Sequence, residues 1–577
     1  MKTILSKRLI LSLFIVVATT VYFLLEPSSN YKIISADSII TMNPEQPRVE
    51  AAVIQSGKIL ATGDLISLKQ QWADAEHLHF PEKTLAPGFI ENHLHPAMAA
   101  LLLPFEWITP FEWSLPGKQV TSTQGEINYR AALKASFTDW RAQQTSDDDW
   151  FITWGYHHLF HGEMSRALLD QLFPDKPVIV WHRSFHEIWA NSKALELAAI
   201  TEEDLASHHH ADFETGHFFE TGLEVALTRF GRHVIKPGRM MDGLNQVTDI
   251  VHRGGITTIA DMAAGMFDMT VEWWLFRWFF DDSDTPFRTR LIPLVERLAE
   301  EADSEEAIQH SQLLLEKGND QLQYVKQVKL LADGAFYSQL MQMRAPGYHD
   351  GHSGQWITPP DQLEKVASRF WQADYQLHIH TNGDLGAEVV INMIEKLQQK
   401  YPREDHRTTL HHLGYIGPDQ AEKIADNGIT VSANPYYLYT LGEVYAEQGL
   451  GEERAHTIFR GRDLLDAGIK LSLHSDFCMA PAQPLRLASV AVNRKGAGGL
   501  QMAKDQRLSV HEALQAITID AAYAIQMENE VGSIEEGKLA DFVILDQDPY
   551  TVDPTLLQDI PIWGTIFQGR LFPVSER

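Results

Sequence analysis

Cysteine is almost missing: the 577 residues contain one, Cys478. A single thiol excludes an intrachain disulfide framework and any zinc cluster built from cysteines. Basic residues are also in deficit, with 48 Lys and Arg against 77 Asp and Glu and a formal net charge of −29. A protein that tracks phosphates needs a basic face, so nucleic-acid binding is excluded as a class. The chain shows no internal repeat and no low-complexity tract. The nearest thing to one, His208-His209-His210, reads as a loop. What remains is an ordinary globular balance, 44% hydrophobic and 22% charged, with an excess of histidine, 26 in all.

Long apolar runs are absent except at the N-terminus. Lys2, Lys7 and Arg8 precede an uncharged stretch from Leu9 to Leu25 that ends at Glu26-Pro27. About 17 residues is the lower limit for a helix that spans a bilayer. The flanking charges predict a cytoplasmic N-terminus and a translocated body. Residues 1–26 are therefore expected to be a membrane anchor, with an extracytoplasmic (periplasmic or extracellular) body. The alternative is a cleaved signal and a secreted protein, although no clean small-x-small site follows the run.

Behind that segment, residues 31–85 alternate apolar and polar residues between glycine turns, as short antiparallel strands do. Residues 530–577 have the same character, so both chain ends are expected to build one small β-domain. Between them lie eight near-continuously apolar strand candidates: Gly88–His95, Ile256–Met262, Thr289–Val295, Gln327–Ala332, Leu377–Thr381, Thr409–Leu413, Ile429–Ala433 and Ile469–Asp476. Eight such strands alternating with helical patterns predict an α/β fold, a distorted (β/α)8 barrel over residues 86–96 and 254–529. Residues 97–253 are too long for one connection and predict an inserted subdomain over the barrel mouth.

The histidines sort onto this frame. His93 and His95 close the first strand, and residues two apart on a strand share a face, so both imidazoles can address one point. That is what a metal ion asks of two nitrogen donors. His378 and His380 repeat the spacing on the fifth strand. His411 and His412 are adjacent on the sixth, so alternation turns one of them inward, and His474 and Asp476 end the eighth. Lys329 lies on the fourth strand, shortly before Asp333. An isolated buried histidine is usually a hydrogen-bonded core residue. Convergence at the C-terminal ends of several strands is a pattern that surface histidines have no reason to make.

Leu85-Ala86-Pro87-Gly88-Phe89-Ile90-Glu91-Asn92-His93-Leu94-His95 resembles the opening signature of the amidohydrolase superfamily, and specifically its YtcJ-like branch (amidohydrolase 3), which includes N-substituted formamide deformylases. The resemblance continues through Asn191-Ser192-Lys193-Ala194-Leu195, Lys329-Leu330-Leu331-Ala332-Asp333-Gly334, His380-Thr381-Asn382-Gly383-Asp384, Ser475-Asp476 and the tail from Val531 to Phe542. It implies a barrel beside a β-sandwich made from both ends. It assigns metal ligation to His93, His95, His380, His412 and Asp476, and matches Lys329 to a position that bridges two metals when N6-carboxylated. His378 and His411 fall outside the matched positions, as surrounding or packing residues. His186 and Asp333 are implied as substrate contacts, with packing beside Trp189 the plainer alternative for His186. Four departures surround the substrate space: Glu91-Asn92, Leu385, His411 and the long link Phe477–Pro481.

The chemistry so implied is metal-dependent hydrolysis of a non-peptide C–N bond in a small molecule. One or two divalent cations, Zn²⁺ first, would activate water, with Asp476 as general base and then general acid. An uncarboxylated Lys329 that merely pairs with Asp333 would leave a mononuclear site. Phe105, Trp107, Phe111, Trp113, Tyr436, Tyr437 and Tyr439 are expected to be core or an apolar pocket wall. Two other functions stand beside this one: a heterocycle deaminase of the same superfamily, and a catalytically inactive binding protein at the membrane. Beyond a small-molecule substrate and the membrane, no partner is implied, and no oligomeric state.

Overall fold

A computed structural model describes residues 31–144, 149–206 and 208–574. The apolar run Leu9–Leu25 lies outside the described residues. Among the described residues, no helix is long and apolar enough to cross a membrane.

Eight parallel strands set the frame: β1 (Phe89–Leu94), β2 (Ile256–Ala264), β3 (Arg288–Pro293), β4 (Gln327–Leu331), β5 (Gln376–Thr381), β6 (Thr409–His412), β7 (Thr430–Ala433) and β8 (Leu471–Leu473). Each falls on one of the eight apolar segments picked out by the sequence. Nearly every residue in them is buried, which is why these strands read as continuous apolar runs rather than alternating ones. Fully burying a side chain such as Ile259, Leu291 or Leu377 stabilises the fold by about 1.5–3 kcal/mol. The strands pair in two arcs, β1 to β3 and β4 to β8. A single bridge, Leu294 to Lys329, joins β3 to β4. The end of β8 meets β1 where the Asp476 N–H donates to the His93 carbonyl at 3.2 Å. The result is a TIM-barrel-like ring whose two irregular seams carry Lys329 on one side and His93 with Asp476 on the other.

The chain ends share one seven-stranded sheet. Its order is Arg570–Pro573, Ile562–Phe567, Phe542–Leu545, Glu76–Pro87, Tyr31–Ile40, Arg48–Gln55 and Lys58–Gly63. The strand Glu76–Pro87 runs into β1 through Gly88. A β-carbon at Gly88 would lie 2.1 Å from the Thr257 hydroxyl, so only glycine lets the two layers meet there. Residues 106–219 hold a separate six-stranded sheet with β-strands Phe151–Tyr156, Val178–His182 and Glu187–Ala190 at its centre. Its Arg183 donates to the Met479 carbonyl at 2.8 Å, tying that sheet to the mouth of the barrel.

Candidate metal centre and active site

A cavity of about 460 Å³ opens at the C-terminal end of the barrel strands. His93, His95, Lys329, His380, His412 and Asp476 form its floor, and His186 lies in its wall. Seven of the eight residues expected from the sequence therefore meet in one place. Asp476 sits among the imidazoles, with Oδ1 3.2 Å from His95 Nε2 and 3.6 Å from His93 Nε2, and Oδ2 3.6 Å from His412 Nδ1. His93, His412 and Asp476 each bring one donor atom within 4.8 Å of the others.

Burial governs the electrostatics. Burial, reinforced by the Lys329 charge or by neighbouring imidazoles, holds His93, His380 and His412 well below the ordinary imidazole range. They are neutral at physiological pH, the form that binds metals. His95 is the exception: burial pulls it down, but Asp261 and Asp476 together push it up. Burial would raise the Asp476 carboxyl, yet His95, helped by His474 and Lys329, brings it below its usual value.

Lys329 is 1% exposed and its Nζ has no hydrogen-bond partner. Burial brings it down from 10.5 to about 7, with only Asp476 opposing. The unfolded chain holds this proton up to about pH 10.5 and the fold releases it near 7, so the unfolded state binds more protons in between. Stability of the metal-free protein is therefore expected to rise with pH across that window, by on the order of 5 kcal/mol. Lys329→Met removes this slope; equal urea midpoints against pH for the two proteins would refute the assignment.

Asp333 corrects the sequence expectation. It is fully buried away from the cavity, and its carboxylate accepts from the backbone N–H of Asn382 (2.8 Å), Gly383 (2.9 Å) and Gln342 (2.9 Å). It thus caps the helix Asp384–Lys400 from a neighbouring strand, touching neither substrate space nor Lys329. A second correction concerns the sixth strand. His412 has a left-handed backbone (φ 75°), which breaks the alternation, and both adjacent histidines reach the barrel interior. His412 faces the cavity, while His411 lies beneath it with Nδ1 2.6 Å from His93 Nδ1.

His380 faces the cavity, but its Nε2 accepts from the Asn382 side-chain amide at 2.9 Å. His186 is held by Glu220 (2.8 Å), and the ring on Trp189 is His217, not His186. Burial lowers the His186 imidazole, but Glu220 outweighs it and the net shift is upward. The aromatic candidates do not form this cavity. Phe105, Trp107, Tyr436 and Tyr437 are core, and Phe111, Trp113 and Tyr439 line a different cavity of about 560 Å³. The walls around the metal residues carry Met98, Met262, Met266, Met479, Leu223 and Leu227 on an apolar side, and Glu224, Glu296 and Arg297 beside them.

Sequence reasoning missed Asp261 and Glu220 and set Glu91 beside the substrate instead of behind Asp476. Asp261 stands 3.9 Å from His95 Nδ1, and its signal was a carboxylate inside an otherwise apolar strand. Glu91 accepts from the Ser475 N–H at 2.9 Å and so fixes the turn that presents Asp476. Glu220 gave no local signal at all. A second cluster, His157, His158 and His182, has metal-like spacing but the wrong protons. The Nδ1 atoms of His157 and His182 accept backbone N–H groups of Leu159 and Ser184, so each neutral ring carries its proton on Nε2. Those two rings therefore have no lone pair free to ligate.

The amidohydrolase family profile (Amidohydro_3) matches residues 82–572. Amidohydrolase YtcJ of Bacillus subtilis (strain 168) is 25% identical over 553 residues, 92% of this chain and 97% of that one. The N-substituted formamide deformylase of Arthrobacter pascens is 25% identical over 555 residues, covering 92% and 96%. Among solved structures, a metal-dependent hydrolase from Pyrococcus horikoshii OT3 superimposes with a TM-score of 0.69 at 21% identity, over 91% of this chain and 99% of that one, and shows the same fold. With that profile spanning most of its length, and with the strand-end histidines gathered around Asp476, the chain belongs to the amidohydrolase family, hydrolases of carbon–nitrogen bonds other than peptide bonds.

Proposed function

We propose that this protein hydrolyses an amide-type C–N bond in a small molecule that carries an apolar substituent, using a divalent metal, Zn²⁺ first. The observation that carries the reading is the set of unpartnered buried polar atoms on the cavity floor. His412 Nε2 and Lys329 Nζ have no hydrogen-bond partner, and leaving such groups unmet costs about 1–3 kcal/mol each unless something binds them. The donor set fits a cation: imidazoles, those of His93 and His412 neutral, and one carboxylate. His93, His95, His412 and Asp476 would hold it. A second cation would draw on His380, once released by Asn382, and on Lys329 as a carbamate. The neutral Lys329 amine adds to CO2 and loses one proton, and its buried, unpartnered position suits that reaction.

A cation held there would supply Lewis acidity to the substrate carbonyl and to a water at neutral pH. Asp476 is placed to take the proton of the attacking water and return it to the departing amine nitrogen. His186, held at 2.8 Å by Glu220 and shifted upward by it, is the ring in the wall that can turn an N–H to an oxygen of the substrate. The methionine and leucine side of the wall suits an apolar group, since methionine adapts to irregular shapes. The formamide deformylase relative supports N-formyl amines as the first compounds to try.

The test is a hydrolysis screen of N-formyl amines, lactams, simple amides and aminated heterocycles with metal-loaded protein, reading amine or ammonia release together with metal content. Amine release that chelation abolishes is expected. Ammonia release from heterocycles alone would favour the deaminase instead, and ligand binding with no turnover would favour an inactive binding protein. We place the body outside the cytoplasm, on the strength of Lys2, Lys7 and Arg8 before the apolar run Leu9–Leu25. Recovery of the protein in the cytosolic fraction would overturn that placement.

A further inference from the structure

We propose that Gln327, acting through His378 and His411, fixes the ring of His93 in the one tautomer that turns a bare Nε2 toward the cavity. The inference rests on the metal-site reading above, and Gln327, His378 and His411 are positioning residues in it.

The string is continuous and buried. His93 Nδ1 lies 2.6 Å from His411 Nδ1, His411 Nε2 lies 2.8 Å from His378 Nδ1, and His378 Nε2 lies 3.0 Å from Gln327 Oε1. All four side chains are at most 2% exposed. A neutral imidazole has one donor and one acceptor nitrogen, so a string of them can run in only two directions. The far end chooses. Gln327 Nε2 donates to the Ile525 carbonyl at 3.0 Å, and a backbone carbonyl can only accept. The Gln327 oxygen must therefore face His378, which places the His378 proton on Nε2. His378 Nδ1 then accepts from His411 Nε2–H, and His411 Nδ1 accepts from His93 Nδ1–H. His93 is left with a lone pair on Nε2, the atom nearest Asp476 and His95. Reversing the string would set the Gln327 oxygen against the Ile525 oxygen.

His412 is held by the same logic from the opposite side. Ser472 Oγ donates to the Val431 carbonyl, and Asn92 Nδ2 donates to Ser472 Oγ at 2.7 Å. The Asn92 oxygen consequently accepts from Ser432 Oγ at 2.9 Å, and Ser432 Oγ accepts from His474 Nδ1 at 2.8 Å. His474 Nε2 must then accept from His412 Nδ1 at 3.2 Å, which leaves the His412 Nε2 lone pair free in the cavity. Two strings, each ending on a backbone carbonyl, present two imidazole lone pairs to the same floor. Partners of this kind set ligand orientation and are worth about 10–100-fold in metal affinity.

Ring ¹⁵N shifts of the metal-free protein, or its neutron structure, read the tautomers directly. The expected pattern is a proton on Nδ1 of His93 and on Nε2 of His411 and His378. A proton on His93 Nε2 overturns the proposal, and this readout needs no variant. Gln327→Met removes the terminal acceptor. It is expected to give mixed His93 tautomers and to weaken zinc binding, titrated into metal-free protein, by about 10–100-fold. Gln327→Glu, when protonated, restores both the carbonyl acceptor and a donor toward Ile525, so it should recover the wild-type pattern and most of the affinity. Unchanged tautomers and affinity in Gln327→Met overturn the proposal. Should the wild-type protein itself take up no zinc at a defined ratio, the metal-site reading falls, while the proton positions in the metal-free protein still decide the role of Gln327.

Discussion

Asp476→Asn is expected to lower kcat by about 10²–10⁴-fold while leaving the fold intact. The side chain is nearly isosteric, so packing around it is preserved. The backbone N–H that joins β8 to β1 through the His93 carbonyl is untouched. What disappears is the proton acceptor. Asp476 sits in the left-handed region (φ 53°), a conformation that costs about 1–3 kcal/mol unless its surroundings impose it. The reason for imposing it is visible in the distances: this backbone delivers one carboxylate to within 3.2 Å of His95, and within 3.6 Å of both His93 and His412. Although burial opposes it, the carboxylate stays ionised well into acid because His95 stands beside it. It is thus available as a base at neutral pH. The measurement is turnover of whichever compound the screen identifies, with metal content and thermal midpoint recorded on the same preparation. Wild-type turnover in Asp476→Asn would remove Asp476 from the mechanism. Lost turnover accompanied by lost metal would show that it acts as a ligand before it acts as a base.

How much of this could be read from the residues alone follows from the length scale of each signal. The barrel strands are short apolar runs, a local property, and all eight stood out. His93 with His95 was legible because a two-residue spacing fixes a shared face within one strand. Asp333 misled because a matched motif, and nearness to Lys329 in sequence, say nothing about which way the chain turns after β4; there it turns toward the start of the helix at Asp384. His411 and His412 misled for a related reason, since the alternation rule assumes extended backbone and His412 departs from it. The methionine wall and the Gln327 string depend on register between strands far apart in sequence. His380 lies opposite His411, and Lys329 opposite His378, only once β4, β5 and β6 are paired. No periodicity within a single segment carries that information.

The tail motif from Val531 to Phe542 presents the remaining large effect, and it concerns stability rather than chemistry. Asp541 ends the turn before the strand Phe542–Leu545, and its carboxylate lies 2.5 Å from the Arg288 guanidinium at the start of β3. The two side chains are 3% and 0% exposed, so the pair is sealed between the barrel and the sheet made from both chain ends. Asp541 also accepts from the Gln568 N–H at 2.8 Å, and its own carbonyl accepts from the Gly88 N–H at 3.0 Å. One residue therefore joins the strand entering the barrel, the barrel itself and the returning tail. Asp541→Ala would leave Arg288 charged, buried and without its counter-ion, which is expected to cost about 3–5 kcal/mol. The desolvation penalty makes the pair a poor source of net stability, however. The double variant Arg288→Met/Asp541→Leu, which removes both charges and fills the space, is expected to be neutral or stabilising by about 1–4 kcal/mol. Urea midpoints of the three proteins separate the possibilities. A wild-type midpoint in Asp541→Ala would show that water reaches Arg288. A double variant as unstable as the single one would show that the motif acts through its hydrogen bond to Gln568 rather than through charge. In either variant that folds, turnover should survive, because Arg288 and Asp541 contribute nothing to the cavity floor.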